Sequence, residues 1–268
     1  MFIEYNGLKL SASLSFYTVF SIGPLLIVII SLAGIFFGKP EVEGQVYAEI
    51  QGLLGSNTAG QIQQIIQNIQ NAPHGVLGGI IGFVILIIGA SGVFSEIQDS
   101  INLIWSVQTL PQKGFLQIVI KRLLSFSLLL ALAFMLLVAL IVNTLIDILS
   151  AHFKSNFENS VINVVYLLNT ALIFITITAV FTLIFKVLPH SLIKWGEALI
   201  GALFTALLFM LGKFIIGFYL GNSKIGFTYG AAASIVILML WVYYSSIILY
   251  YGACFTKTYA SRKLLPST

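Results

Sequence analysis

The sequence predicts an all-α fold: a polytopic membrane helix bundle with six transmembrane helices and short amphipathic helices in the first outer and first inner connections. Hydrophobic residues make up 59% of the chain and charged residues only 8%, whereas soluble domains carry about 25% charged residues. Six stretches are long and apolar enough to cross a bilayer as helices. None has the strand-like alternation that a membrane barrel needs. Residues 1–268 are therefore expected to form a single membrane domain.

The predicted spans cover approximately residues 12–37, 75–95, 121–147, 161–187, 197–220 and 228–256. Pro24 lies inside the first span and predicts a helix kink, because proline lacks a backbone donor. The fifth span contains Lys213 and is the weakest by hydropathy. The sixth begins with a weakly apolar segment, so we expect it to enter the bilayer core near Ala231.

Basic residues near the ends of these spans favour one orientation. Nine of the 13 Lys and Arg residues fall on one side of an even-numbered bundle and four on the other. The nine are Lys9, Lys113, Lys121, Arg122, Lys186, Lys194, Lys257, Arg262 and Lys263; the four are Lys39, Lys154, Lys213 and Lys224. Because cytoplasmic connections carry the excess of Lys and Arg, both termini are expected in the cytoplasm.

The first outer connection, residues 41–71, contains an amphipathic segment. Its apolar residues fall at i, i+3, i+4 and i+7, which is one face of a helix; they are Ile62, Ile65, Ile66 and Ile69. The other positions carry Gln and Asn without charge. Interfacial helices normally carry Lys or Arg on their polar face. A helix that caps the bundle is therefore favoured over a lid or a lipid-facing helix.

The first inner connection begins with a second amphipathic segment, residues 96–105. Polar side chains recur every third residue and apolar ones occupy another side; they are Glu96, Asp99 and Asn102 against Ile97, Ile101 and Ile104. Trp105 suits an anchor at the membrane interface, and Pro111 is expected to end the element. Glu96 and Asp99 either lie on a solvated helix or form a gate or proton-coupling pair.

The sequence gives no sign of catalysis. The three histidines (His74, His152 and His190) fall in connections on opposite sides of the predicted bundle, so they cannot share one metal. No nucleophile elbow, zinc motif or phosphate-binding loop occurs. The single cysteine, Cys254, cannot form an internal disulfide. We predict a protein that is not an enzyme, with no catalytic residues, metal or cofactor, and no nucleic-acid partner, because the net charge of +4 forms no basic stripe.

Ionisable residues within or beside the spans are the better functional candidates, because each must be compensated in lipid. Lys213 either faces a polar cavity and meets an anion, or extends its long side chain to the headgroups. Lipid phosphate and Asp147 are its expected anionic partners. The substrate-binding candidates are therefore Lys213, Asp147, Glu96 and Asp99.

Glycines spaced for close helix packing are frequent. Five pairs fit Gly-x-x-x-Gly: Gly34 with Gly38, Gly75 with Gly79, Gly78 with Gly82, Gly217 with Gly221, and Gly226 with Gly230. They predict tight packing between helices without specifying a partner, and an oligomer is left open.

Several segments, in order along the chain, resemble the YihY/BrkB family of UPF0761-type inner-membrane proteins. The segment from Ser11 to Leu25, SASLSFYTVFSIGPL, is similar to the signature of its first helix. The other matching segments are Asn102 to Trp105, Leu188-Pro189, Gly201-Ala202, Gly212-Lys213, Tyr229 to Ala231 and Trp241 to Tyr243. The resemblance implies six helices in a bacterial inner membrane.

The resemblance implies less about function. A transporter or flippase role for an amphipathic or lipid-linked envelope substrate is our leading hypothesis, with membrane lipids as partners. The alternative is a non-transporting scaffold or envelope-integrity factor, and the family's former label of ribonuclease BN comes third. Two features depart from the family: fewer residues precede the first helix, and the family's terminal Gly-Ala-Glu-Phe reads Gly252-Ala253-Cys254-Phe255. A functional glutamate at that position is therefore missing or replaced by another acid.

Overall fold

The computed structural model describes residues 1–54, 56–70, 92–107, 159–189, 193–222 and 233–264, and these form seven helices. The helices are α1 (Gly7–Phe37), α2 (Lys39–Leu54), α3 (Ser56–Gln70), α4 (residues 92–104), α5 (Asn159–Val187), α6 (Trp195–Asn222) and α7 (Ala233–Leu264). Within these ranges the fold is entirely helical, which confirms the predicted class.

Three of the described helices are long and apolar enough to cross a membrane. The qualifying segments are Thr170–Val187 in α5, Trp195–Ile216 in α6 and Ile235–Ser261 in α7. They coincide with the fourth, fifth and sixth predicted spans. The first predicted span lies within α1, which continues as one helix through position 24. Most of the second span and all of the third lie outside the described residues, so the count of six and the kink at Pro24 remain predictions.

The core lies where α7 packs against α1, α5 and α6. Phe185 and Tyr250 are fully buried, and the small residues Ala202 and Ala206 of α6 are buried in the same cluster. The Ser15 hydroxyl donates to the carbonyl of Met239 at 2.7 Å and joins α1 to α7. This arrangement makes α7 the central helix of the described bundle.

The first outer connection folds as two helices. Ile62 and Ile66 of α3 are buried against Leu26 and Ile30 of α1 and Val42 of α2. The apolar stripe therefore packs on the bundle, in agreement with the capping interpretation. The sequence did not resolve α2 as a separate helix.

One of the five glycine pairs has a different role from the one its spacing predicts. Gly38 has φ 86°, a left-handed conformation that favours glycine, and its N–H donates to Gly34 O at 3.1 Å. The pair therefore ends α1 and allows α2 to begin one residue later, instead of joining two helices.

Two glycines allow α6 and α7 to pack closely against each other. A Cβ atom at Gly201 would collide with the Thr256 side chain, and one at Gly252 would collide with Thr205. Each threonine thus fits the gap left by a glycine on the facing helix. Both threonine hydroxyls form hydrogen bonds within their own helices. Thr205 Oγ1 donates to Gly201 O in α6, and Thr256 Oγ1 donates to Gly252 O in α7, each at 2.7 Å.

Candidate functional site

Lys213 lies beside an aromatic groove between α6 and α7. The groove is a shallow surface indentation with no enclosed space for a water molecule, and it is lined by Phe209, Lys213, Ile216, Trp241, Tyr244, Ser245 and Ile248. Phe209 and Trp241 meet edge to face with ring centroids 6.1 Å apart. The lining therefore combines one cation with aromatic and aliphatic surface.

Gly212 accounts for the shape of this groove. A Cβ atom at Gly212 would lie 2.6 Å from the Tyr244 hydroxyl oxygen and 2.9 Å from Ile248 Cδ1. The missing side chain therefore lets the Tyr244 ring approach the α6 backbone beside Lys213. The adjacent Gly212-Lys213 pair places a close contact and a charge at the same level of the bundle.

Lys213 is exposed, and within the described residues no carboxylate pairs with it. Its neighbours on α6 form a continuous exposed apolar surface that includes Leu207, Leu211, Phe214 and Phe218. The groove consequently opens sideways, on the face that lipid would cover. Asp147, the expected acidic partner, lies outside the described residues, so that pairing remains untested.

A second polar site holds the end of α4. The Lys257 ammonium of α7 donates to Ile104 O at 2.9 Å, to the Tyr5 hydroxyl at 2.9 Å and to Ser106 Oγ at 3.1 Å. Ser106 has φ 56°, so the chain leaves α4 through a left-handed turn. A cation at a helix C-terminus is favourable because it binds the last carbonyls. We name this end of the bundle, which carries Tyr5, Ser106 and Lys257, the terminal end.

Tyr5 has an altered acidity at this site. The hydrogen bonds from Lys257 and Ser106 to its oxygen lower the pKa of the Tyr5 phenol below its usual value near 10. Lys257 also lies 4.9 Å from the centre of the Tyr5 ring. The ammonium thus contacts both the polar and the aromatic part of this side chain.

Two further hydrogen bonds fix α4 in the bundle. Trp105 Nε1 donates to Ala253 O of α7 at 2.9 Å, and Gln98 Nε2 donates to Leu188 O after α5 at 2.7 Å. Trp105 is 8% exposed, so the prediction of an interfacial anchor is wrong: the indole is covered by protein and bonded to α7. The predicted end at Pro111 is also wrong, because α4 ends at residue 104.

These contacts set the position of Glu96. Ile104 and Trp105 lie at the level of Ala253 to Lys257. Ile97 and Ile101, earlier in α4, share a buried cluster with Leu249 and Tyr250 of α7. Ser100 is 3% exposed and Tyr250 is fully buried. Tyr250 lies seven residues before Lys257, or about 10 Å along the helix. Glu96 thus lies beside the membrane-spanning part of α7.

Glu96 and Asp99 differ in their exposure to solvent. Glu96 is half-buried, whereas Asp99 is exposed. Ile97, Ile101 and Ile104 are buried, as their spacing predicts. The two acids therefore have different surroundings, and a role for them as a pair remains a prediction.

Sequence reasoning missed Ser100, Tyr250 and Lys257. Ser100 follows Glu96 by four residues and shares its helix face, which was a usable signal. Tyr250 and Lys257 gave none, because only the packing of α4 on α7 brings them to the site. All three histidines lie outside the described residues, and within the described ranges no group of three His, Cys, Asp or Glu residues could hold a metal ion.

Comparison with known proteins identifies the family of this chain. The family described as Virulence factor BrkB matches residues 2–267. The chain belongs to this family. A UPF0761 membrane protein of Saccharophagus degradans is 29% identical over 265 residues, which cover 97% of this chain and 58% of the relative. One from Pseudoalteromonas atlantica is 27% identical over 263 residues, covering 94% of this chain and 82% of the relative.

A third UPF0761 membrane protein, from Kangiella koreensis, is 28% identical over 261 residues, covering 95% of this chain and 62% of the relative. The chain thus spans less than two thirds of the length of two of these relatives. No solved structure matches it. The protein is an integral membrane protein of the BrkB family, in keeping with its three apolar helices. The names of these relatives state no enzymatic activity.

Proposed function

We propose that this BrkB-family protein is a transporter or flippase-like protein of the bacterial inner membrane, with both termini in the cytoplasm, that moves an amphipathic or lipid-linked envelope substrate. The observation that carries the proposal is the exposed Lys213 at the edge of the groove between α6 and α7. Within the described residues Lys213 has no carboxylate partner. Because a cation within a membrane-spanning helix is costly without compensation, we propose an anionic ligand as its partner.

The chemistry of the groove supports a substrate with an anionic headgroup and an apolar body. The ammonium offers three donors to phosphate or carboxylate oxygens. Trp241 and Tyr244 offer aromatic surface next to it. The exposed apolar residues of α6 would lie along an acyl or isoprenoid chain. Because the groove opens sideways, a substrate can enter it from the lipid without crossing water.

A non-transporting scaffold is the competing function. The sequence argument for it relied on glycine seams that remain free for assembly. Among the described residues, Gly201 and Gly252 are already used inside the chain, between α6 and α7. These two glycines are not among the five predicted pairs, so the scaffold remains an alternative, and the experiment below separates the two functions.

The test is lipid movement in proteoliposomes that contain purified protein and a fluorescent anionic lipid. Lys213→Met is expected to abolish accelerated movement because the headgroup loses its cation, and Lys213→Arg is expected to retain much of it. Lys9→Met removes an exposed cation near the start of α1 and should behave like the wild type. Full activity of Lys213→Met would contradict the proposal. Failure of the wild type across a lipid panel, together with a stable hetero-complex, would favour the scaffold.

A further inference from the structure

The polar cluster at the terminal end leaves one hydroxyl hydrogen without an acceptor among the described residues. The Lys257 ammonium has three hydrogens, and it donates them to Ile104 O, the Tyr5 hydroxyl and Ser106 Oγ. The two hydroxyl oxygens lie 3.0 Å apart, and only one of their two hydrogens can lie between them. Because Ser106 is exposed, the other hydrogen can bind a group outside the chain.

The same cluster carries a positive charge that no described carboxylate pairs with. Glu4, the acid next to Tyr5 in the sequence, contacts the Met1 ammonium at 2.9 Å instead of Lys257. The ammonium donates to both hydroxyls, so it polarises them and strengthens the hydrogen bond that the outer one can donate. An anionic acceptor is favoured over water at this position, because hydrogen bonds to charged groups are the stronger ones.

The cluster lies at the depth of lipid headgroups. The two glycine–threonine contacts show that α6 and α7 run antiparallel, with Gly201 at the level of Thr256. Trp195, 58% exposed, lies six residues before Gly201 on α6, and Tyr251, 48% exposed, lies six residues before Lys257 on α7. Six residues are about 9 Å along a helix. Lys257 therefore lies between the levels of two exposed aromatic residues of the types that are enriched at membrane interfaces.

We propose that Lys257, Tyr5 and Ser106 bind the phosphate of an anionic phospholipid in the leaflet that faces the terminal end. A lipid phosphate brings anionic oxygens to this depth, and basic positions beside membrane helices attract such headgroups. One phosphate oxygen accepts the outer hydroxyl hydrogen and lies near the ammonium. A free phosphate offers the same oxygens, but only a lipid is also held at this depth by its chains.

This lipid site is separate from the proposed substrate groove. Lys213 follows Gly201 by 12 residues, which places it about 18 Å farther along α6. A phosphate at the terminal end contacts the segment before α1, the exit from α4 and α7 together. It should therefore stabilise the folded protein, because a ligand that binds only the folded state does so. The lipid site does not depend on the proposed transport.

Binding of phosphatidylglycerol to the purified protein in detergent tests the site. Saturable binding and a higher thermal midpoint are expected, whereas phosphatidylcholine, which is neutral overall, should have much smaller effects. Lys257→Gln keeps two hydrogens but removes the charge, and it should weaken phosphatidylglycerol binding by about tenfold or more. Lys257→Arg should keep most of the binding. Lys194→Gln removes an exposed cation directly before α6 and is the matched control.

Each measurement is repeated in a Lys213→Met background, so that the groove does not contribute its own cation. Four results would overturn the site: no saturable phosphatidylglycerol binding, equal binding of phosphatidylcholine, unchanged affinity in a folded Lys257→Gln variant, and an equal loss in Lys194→Gln. Competition by glycerol phosphate at the same concentration as the lipid would also overturn it, because the ligand would then be a free phosphate. None of these results tests lipid movement, so the two proposals can fail independently.

Discussion

Trp105 contributes to stability through a single indole N–H. Trp105→Phe keeps an aromatic ring but removes the donor to Ala253 O and leaves a small gap. We expect a loss of about 1–3 kcal/mol, seen as a lower midpoint of thermal unfolding in detergent. Trp195→Phe is the control, because Trp195 is 58% exposed at the start of α6. Equal shifts for the two variants would contradict this role of the Trp105 hydrogen bond.

The Tyr5 phenol gives a prediction about pH. Its pKa is lower in the folded protein than in the unfolded chain because Lys257 and Ser106 donate to its oxygen. The resulting stabilisation is fully present above the unfolded pKa, near 10, and is lost as the pH falls through the folded value. The difference between the ultraviolet titrations of the wild type and Tyr5→Phe should show one tyrosine that ionises at a lower pH than an ordinary tyrosine. In a Lys257→Met background this difference should move back toward pH 10, and no movement would exclude Lys257 as the main cause.

Residue identity alone predicted part of the candidate site. Lys213 and Glu96 stood out because charges are rare in such a chain, and the structure places Lys213 beside Trp241 and Tyr244 of α7. Trp105 was predicted to lie at the membrane interface, whereas in the structure it is covered by protein. Tryptophan suits both a membrane interface and a buried contact, and its sequence neighbours do not show which helix will cover it. Tyr250 looked like any other apolar position in a long helix.

The contact between α6 and α7 depends on two glycine–threonine pairs, so a methyl group should disrupt it. Gly201→Ala and Gly252→Ala each force a Cβ into a facing threonine, and overpacking of this kind costs about 1–3 kcal/mol. Gly196→Ala on the same helix meets nothing within 4 Å and should be neutral, or stabilising by up to about 1 kcal/mol. Thermal unfolding in detergent measures all three. A Gly201→Ala variant as stable as Gly196→Ala would contradict the packing.

Elements were predicted best where one physical pattern dominated. Long apolar runs located α5, α6 and α7, and the isoleucine spacing located α3, because burial needs one apolar face. The boundary between α2 and α3 was missed, since weakly apolar residues give little periodicity. The glycine rule missed the α6–α7 seam for a different reason: each contact uses a glycine on one helix and a threonine on the other, a pairing that spacing along a single helix cannot show.

For the molecule as a whole, the sequence predicts the number of apolar segments better than it predicts how those segments pack together. Hydropathy is a property of each segment, whereas the position of α4 on α7 arises from contacts more than 140 residues apart, such as the bond from Trp105 to Ala253. The contact from Lys257 to Tyr5 brings the beginning and the end of the described chain together. An odd number of spans would place them on opposite sides of a membrane, so the terminal end favours an even count.

The native cysteine makes this topology testable in cells. Cys254 is the sole cysteine and is buried, so the wild type should react little with a membrane-impermeant maleimide. Ser56→Cys, exposed at the start of α3, should label in intact bacteria, because α1 separates it from the terminal end. Ser261→Cys, exposed near the end of α7, should label only after permeabilisation, because the excess of Lys and Arg predicts that the termini lie in the cytoplasm. Labelling of Ser261→Cys in intact cells would contradict the predicted orientation, and labelling of both variants from the same side would contradict a membrane crossing by α1.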